Sequence, residues 1–177
     1  EYSIDDAFAD ITGLRRTYHT SYESIALQMK HAVERELGIT VSMGLSPTKA
    51  LSKICSKEKK PAGFVCLRSY EIEDFAKGIP VEKVCGFGPN SVALLAKQGV
   101  RTVFDYIRRP QAWAQKLLGK IGSELWLELN GQAVHPIVLE QQPNRFSLGK
   151  TKTFTPASSD RDFVRAQLLR NVESAFI

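Results

Sequence analysis

The feature that most constrains the fold is a stretch in which every second residue is apolar. From position 39 to position 45, apolar side chains alternate with small or polar ones, and a period of two predicts a β-strand with one buried face. Ser46 and Pro47 follow directly and are typical of the start of a helix. That helix is predicted to end at residues 59–63, where proline and glycine interrupt the pattern. A strand that leads into an amphipathic helix predicts an α/β fold.

A helix and two short strands are predicted before this unit. Residues 1–12 are interpreted as a strand, an acidic turn and a second strand, with Asp5 and Asp6 in the turn. Thr20 and Glu23 have the spacing of a capping box and Gly38 is a favourable C-terminal stop, so a helix is predicted between them. The apolar side of this helix consists of Ile25, Met29, Val33 and Leu37.

The second half of the chain changes character. Residues 64–130 contain short helical patterns separated by glycines. The most distinctive part, residues 84–91, reads Val-Cys-Gly-Phe-Gly-Pro-Asn-Ser and leads into an apolar helical run, and residues 118–123 echo it more weakly. Residues 131–145 are rich in Pro and Gln, which is typical of a linker. Residues 146–154 predict a strand, and a final helix follows it.

The composition fits a packed protein with a polyanionic partner. Hydrophobic residues make up 43% of the chain, the net charge is +5, and the pI is near 9.2, a balance that favours nucleic acid. No apolar run reaches the length of a membrane span and no signal peptide is recognisable, so we expect a cytoplasmic protein without a membrane partner. Cys55, Cys66 and Cys85 lack metal-ligand spacing and are interpreted as buried thiols in a reducing compartment.

Both ends of the chain predict an excised piece. The chain begins with Glu1 instead of Met and enters a predicted strand at once. At the other end, the apolar stripe of the last helix reaches Ile177 without a cap. An apolar helical face needs a packing partner, so a domain that ends inside such a helix is unexpected.

Two acidic residues and one lysine are candidates for catalysis. Asp5 and Asp6 are adjacent carboxylates on a tight turn, and Mg²⁺ prefers oxygen ligands. Two divalent ions about 3.5–4 Å apart can neutralise charge in phosphoryl transfer. Lys53, on the same helical side as Lys49 and Lys57, could hold a triphosphate. The alternatives are an ordinary acidic turn and a solvated helix face.

Residues 86–91 and two later lysines are candidates for binding nucleic acid. Gly86 and Gly88 allow backbone N–H groups to approach a phosphate, and the helix that follows adds a positive N-terminus. Flanking apolar residues fit a helix-hairpin-helix, which binds the DNA backbone without reading bases. Lys150 and Lys152 lie on the same face of the last predicted strand. They could contact phosphate, or they could protect an exposed edge strand.

The order of these motifs resembles that of the Y-family (translesion) DNA polymerases, in particular the DinB, or polymerase IV-like, branch. Residues 2–8, Tyr-Ser-Ile-Asp-Asp-Ala-Phe, are similar to the palm signature Tyr-Ser-Ile-Asp-Glu-Ala-Phe. Residues 42–63 resemble the second palm motif of the family. Residues 85–89 match its thumb hairpin, and residues 147–154 are similar to the first strand of its little finger. The resemblance covers nearly the whole chain.

The resemblance implies a role for each candidate residue. Asp5 would bridge two Mg²⁺ ions, and Asp6 would hold the ion that activates the primer 3′-hydroxyl. Lys53 would contact the triphosphate of a deoxynucleotide. The DNA backbone would be bound in the thumb by Gly86, Phe87, Gly88, Pro89, Asn90 and Ser91, and by Lys150 and Lys152 at the start of the little finger.

The resemblance also implies a domain organisation. Residues 1–60 would form part of a palm sheet with helices on one face, and residues 61–130 an all-helical thumb. The linker 131–145 would lead to a truncated βα unit of the little finger at 146–177. The first metal-binding aspartate, the steric gate and the fingers of the family lie upstream of its palm signature. We therefore expect this piece alone to be inactive in DNA synthesis.

One departure and two rival functions stay open at this point. Asp6 stands where the family has Glu. The Asp side chain is one methylene shorter, so its carboxylate reaches less far toward the metal ion. The partners implied are primer–template DNA, deoxynucleoside triphosphates and a sliding clamp contacted through other segments. The main rival is a non-catalytic helix-hairpin-helix DNA-binding module. A nucleotidyl cyclase-like enzyme would also use paired acids, but it has no use for a DNA-binding thumb.

Overall fold

The computed structural model describes residues 5–137 and 149–175. The chain divides into two compact units, Glu1–Ile137 and Val138–Ile177. The elements of the first unit are α1 (Leu14–Tyr18), α2 (Tyr22–Leu37), β1 (Met43–Leu45), α3 (Lys49–Glu58), β2 (Phe64–Cys66), α4 (Ile72–Lys77), α5 (Pro89–Lys97), α6 (Val103–Ile107) and α7 (Gln111–Leu129), with 3₁₀ turns at Ser69–Glu71 and Val81–Lys83. The described part of the second unit contains α8 (Arg161–Glu173).

The two described strands form a parallel pair, with α3 as the connection between them. Met43 pairs with Phe64 and Leu45 with Cys66. Helix α3 packs on this pair through Leu51, Ile54 and Cys55, all at most 2% exposed. This arrangement confirms the predicted α/β fold, and β2 extends the sheet beyond residue 60.

The predicted strands are shorter than expected or are not formed. The strand predicted at 39–45 is paired only over its last three residues, and Ile39 is 53% exposed. Residues 7–11 form no strand, which corrects the second strand predicted there, and residues 1–4 lie outside the described residues. Alternation favours an extended backbone, but a strand also needs a neighbour for its hydrogen bonds. Among the described residues, β2 alone supplies such a neighbour, and it is three residues long.

The predicted helices are confirmed, with corrected caps. The side chain of Ser21, not Thr20, caps α2 by accepting from the Ser24 N–H at 3.1 Å, and Gly38 ends it with φ 66°. Thr48, not Ser46, caps α3. In both cases several hydroxyl residues occur in a row, and the tertiary position of the helix decides which of them becomes the cap.

The core of the first unit joins the strand–helix region to the later helices. Tyr106 and Leu129 are fully buried, and the Tyr106 hydroxyl donates to the Gly122 carbonyl at 2.8 Å. Helix α7 contains a break at Gly119, where φ is 67° and ψ is −153°. This break coincides with the weaker echo predicted at 118–123, so the echo marks a change of direction within α7.

In the second unit, α8 is confirmed and the strand before it is not. Asp160 caps α8 by accepting from the Phe163 N–H at 2.7 Å. Residues 149–154 have no regular secondary structure, and residues 146–148 lie outside the described residues. The Phe154 ring packs edge-on against Phe163 with centroids 5.2 Å apart. The described part of this segment is therefore held by contacts with α8, since no neighbouring strand pairs with it there.

The thiols differ in burial more than the sequence predicts. Cys55 is buried, Cys66 is partly buried and Cys85 is exposed, so the expectation of buried thiols is wrong for Cys85. Its place in an exposed hairpin explains the difference. In the described residues, no helix combines the length and the apolar character needed to cross a membrane.

Candidate active site and nucleic-acid interface

An ion pair joins the first acidic motif to α3. The Lys53 Nζ lies 2.9 Å from Asp6 Oδ2, and the two side chains are 15% and 36% exposed. The apolar side of α3 faces the strands, so its lysine side turns toward the turn at Asp5 and Asp6. The two candidate residues are far apart in sequence, and the structure brings their charged groups into contact.

Asp5 is exposed and directly precedes the paired Asp6. In residues 5–137 and 149–175, no group of three His, Cys, Asp or Glu side chains is placed to hold a metal ion. Two carboxylates nevertheless fit Mg²⁺ in donor type, because this ion keeps several waters and is often bound by one or two carboxylates together with substrate phosphates. The pair at Asp5 and Asp6 is therefore compatible with such an ion. Its role stays a prediction.

Lys49 lies one turn before Lys53 on α3, and its contacts differ from those of Lys53. Its Nζ donates to the Pro136 carbonyl at 2.8 Å and lies 5.8 Å from the centre of the Phe8 ring. Phe8 belongs to the first motif, so α3 contacts this motif at two successive turns. Lys53 is thus distinguished from Lys49 by its carboxylate partner.

The hairpin at residues 84–91, called here the glycine hairpin, is built around Gly86 and Phe87. Gly86 has φ +107°, which strains any residue with a side chain, and a Cβ at this position would lie 2.9 Å from Leu125 Cδ1, which would have to shift. Phe87 is 7% exposed and packs edge-on against Tyr106 with centroids 5.0 Å apart. Its side chain anchors the hairpin in the core and is not available to DNA.

The rest of the glycine hairpin presents the N-terminus of α5 at the surface. Gly88 is the N-cap residue, no side chain caps the helix, and Pro89 is its first residue. Gly88, Pro89 and Asn90 are exposed, and Ser91 is partly buried. The first backbone N–H groups of a helix carry partial positive charge, so this end of α5 suits a phosphate group.

The two lysines of the second unit both contact α8. Lys150 Nζ donates to the Ser174 hydroxyl, and Lys152 Nζ donates to Gln167 Oε1 at 3.2 Å. Both lysines are exposed. They reach α8 or its C-cap residue, but the segment is not a strand where it is described, so the predicted shared strand face is not formed there.

Sequence reasoning did not identify one buried acid, Glu128, which is 1% exposed. Its carboxylate and its carbonyl contact the start of α3. The available signal was a carboxylate on the apolar side of α7, three residues after Leu125 and next to Leu129. A buried acid is rare unless it is paired or hydrogen-bonded.

Comparison with known proteins agrees with the order of the motifs. Residues 1–57 match the family model described as the impB/mucB/samB family. DNA polymerase IV of Clostridium kluyveri is 32% identical over 167 residues, which are 94% of this chain and 42% of that protein. DNA polymerase IV of Caulobacter vibrioides is 36% identical over 130 residues, which are 73% of this chain and 32% of that protein. The chain thus spans less than half the length of these relatives.

Solved structures show the same fold. A Y-family DNA polymerase chimera of Dbh and Dpo4 aligns over 92% of this chain and 48% of its own, with a TM-score of 0.71 and 22% identity. DinB from Sulfolobus solfataricus aligns over 61% of this chain and 32% of its own, with a TM-score of 0.51 and 26% identity. With its motifs, its relatives and its fold in agreement, the chain belongs to the DinB-like, polymerase IV-like branch of the Y family of DNA polymerases.

Proposed function

We propose that the protein carries out template-directed DNA synthesis across damaged DNA, by nucleotidyl transfer at two metal ions. The observation that carries this proposal is the ion pair between Asp6 and Lys53 at 2.9 Å. A metal-binding carboxylate and a phosphate-binding cation must lie side by side in a site that holds a metal–nucleotide complex. The names of the relatives, DNA polymerase IV, point to the same activity.

The residues of this chain have separate roles in the proposed reaction. Asp5 and Asp6 would hold Mg²⁺, which lowers the charge repulsion at the primer 3′-hydroxyl and the triphosphate. Lys53 would exchange its contact with Asp6 for one with the triphosphate and would orient it for in-line attack. Asp6 replaces the longer Glu of the family signature, so α3 and the turn have to lie close together for both contacts.

The glycine hairpin and the two later lysines would hold the DNA. The exposed N-terminus of α5 would bind one backbone phosphate through main-chain N–H groups. Gly86 and Phe87 would shape the hairpin, and Lys150 and Lys152 would add contacts with the duplex. The proposal includes the helical residues that follow β2, up to residue 130, as a thumb, and residues 146–177 as part of a little finger. It also includes a sliding clamp contacted through other segments, and a cytoplasmic location.

The test is primer extension by the full-length protein on intact and lesion-containing templates with Mg²⁺. We expect Asp5→Ala and Asp6→Ala to abolish extension. Lys53→Ala should raise the KM for deoxynucleotide about 10- to 100-fold, the range for loss of one charge-assisted hydrogen bond. Lys57→Ala is the matched control, because Lys57 is an exposed lysine one turn further along α3, and it should leave the KM unchanged.

The same measurements separate the proposal from its rival. A non-catalytic DNA-binding module would retain salt-dependent duplex binding but would show no extension and no Mg²⁺-dependent nucleotide binding. Wild-type activity that survives Asp5→Ala and Asp6→Ala in full would contradict the assignment of the metal site. The chemistry would then belong to other residues.

A further inference from the structure

Glu128, near the end of α7, is a buried carboxylate surrounded by backbone N–H groups. Its Oε2 accepts from the Ala50 N–H at 3.1 Å. Its Oε1 accepts from the N–H groups of Val134 and His135 at 2.8 and 3.2 Å. Three hydrogen bonds to a carboxyl group that is 1% exposed fix its position, because a buried acceptor that lost these donors would be left unsatisfied.

The same residue contacts α3 through its main chain. Its carbonyl accepts from the Thr48 hydroxyl at 2.8 Å, and Thr48 is the N-cap of α3 and is 4% exposed. The Thr48 Oγ1 in turn lies 3.4 Å from the Leu51 N–H. The Thr48 side chain thus binds the backbone of α7, the Glu128 side chain binds the backbone of α3, and the carboxyl group of Glu128 lies at the positive end of the α3 dipole.

Helix α7 also contacts the glycine hairpin. Leu125 lies three residues before Glu128, on the same side of the helix. The methyl group of Leu125 closes the space beside Gly86, where a Cβ would lie 2.9 Å from it. One helical turn therefore contacts the proposed DNA-binding hairpin at Leu125 and the start of the lysine-bearing helix at Glu128.

We propose that Glu128 is a positioning residue, which holds α3 so that Lys53 meets the nucleotide in register with the DNA held by the glycine hairpin. Lys53 lies three residues after Ala50, whose N–H is bound by Glu128, and its Nζ lies beside Asp6, so a shift of the first turn of α3 would move its Nζ away from Asp6. Glu128 touches neither substrate, so its effect passes through α3. This inference rests on the proposed function.

The test compares nucleotide and DNA binding in the full-length protein that carries Glu128→Gln. Glutamine keeps the size of the side chain but replaces one acceptor oxygen with an NH₂ group, which faces a backbone N–H on one of the two sides. We expect the KM for deoxynucleotide in primer extension to rise about tenfold. The Kd for a primer–template duplex, measured by fluorescence anisotropy, should stay within twofold.

The matched control is Glu124→Gln, one turn earlier on α7. Glu124 lies 3.6 Å from Lys120 and 3.7 Å from His135, which are longer contacts than those of Glu128, so the KM and Kd of Glu124→Gln should equal those of the wild type. A second pair acts from the α3 side. Thr48→Val should raise the KM for deoxynucleotide in the same way. Thr48→Ser keeps the hydroxyl group and should have the wild-type KM.

Each other outcome overturns the inference in a recognisable way. If Glu128→Gln weakens nucleotide and duplex binding by the same factor, Glu128 supports the fold and does not position Lys53. An unchanged KM in Glu128→Gln and Thr48→Val contradicts the inference alone and leaves the proposed function intact. If the wild type shows no Mg²⁺-dependent extension, the proposed function fails, and this inference fails with it.

Discussion

At the scale of single residues, the effect of burial on a polar side chain depends on its hydrogen-bond partners. Cys55 and Glu128 are both about 1% exposed, but only the carboxylate is surrounded by donors. Burial raises the pKa of the Cys55 thiol to about 12, since the thiolate is poorly solvated there. Burial also raises the pKa of Tyr106. Both groups therefore stay protonated in the native protein at neutral pH.

The Cys55 thiol should make stability fall above pH 9. Its ordinary pKa is 9.0 and its native value is about 12, so between these values the unfolded chain releases a proton that the native chain keeps. Stability from this group is complete below pH 9 and is lost as the pH rises, by up to about 1.4 kcal/mol per unit. Urea unfolding between pH 8 and pH 10.5 should show a shallower fall in Cys55→Ala.

Cys85→Ala is the control for this measurement. Cys85 is exposed, so Cys85→Ala removes a surface thiol and leaves the buried thiol of Cys55 in place, and the variant should keep the wild-type slope. Equal slopes in the wild type and in Cys55→Ala would show that the buried thiol does not contribute to the pH dependence.

At the scale of elements, the contact between β1 and α3 determines where Lys53 lies. Gly44 is the middle residue of β1. A Cβ added there would lie 2.1 Å from the Ser52 carbonyl oxygen and 2.7 Å from Cys55 Cβ. The backbones of strand and helix approach so closely that only glycine fits. Ser52 is the residue before Lys53, so the close approach of Gly44 to Ser52 fixes the distance of Lys53 from the sheet.

Gly44→Ala should displace α3 and destabilise the first unit. The clash is with backbone, which cannot rotate away, so we expect a loss of about 3 kcal/mol in the free energy of unfolding. Gly78→Ala is the control, because Gly78 has φ −88° and its nearest neighbour would be 3.8 Å away. It should change stability by less than about 0.5 kcal/mol. Similar urea midpoints for the two variants would contradict the close-packing argument.

At the scale of the whole molecule, net charge and local geometry make separate contributions to DNA binding. The chain carries a net charge of +5, which attracts a polyanion in a salt-dependent way. The N-terminus of α5 adds a contact at one defined place. At 0.15 M salt, exposed charges more than about 8 Å apart are largely screened. A substitution that adds a charge should therefore change the affinity for DNA only if the charge lies near a bound phosphate.

Two isosteric changes on α5 test this separation. Asn90→Asp and Gln98→Glu each lower the net charge of +5 by one. Asn90 lies in the first turn of α5 and Gln98 is its C-cap, so they lie about 12 Å apart along the helix axis. We expect Asn90→Asp to weaken duplex binding about tenfold at 0.15 M salt, and Gln98→Glu to change it less than twofold. Equal losses in anisotropy titrations would mean that α5 does not bind a phosphate at its N-terminus.

Local patterns in the sequence predicted the helices well, while the roles of the candidate residues stay predictions. Helix α2 with its stop at Gly38, the buried side of α3 and the helix after the glycine hairpin all follow from spacing and end residues. These signals are local, because a helix satisfies its hydrogen bonds within one segment. The order of motifs along the chain likewise indicated the family.

The strands, the exact caps and the contacts between motifs were decided by the tertiary structure. Alternation at 39–45 could not show that Met43–Leu45 pairs with Phe64–Cys66, a segment beyond the next helix. The hairpin motif could not show that Phe87 is a core residue. The contacts of Lys53 with Asp6 and of Glu128 with α3 join segments that are distant in sequence. Such contacts depend on how elements pack against each other, and no local pattern along the chain records that packing.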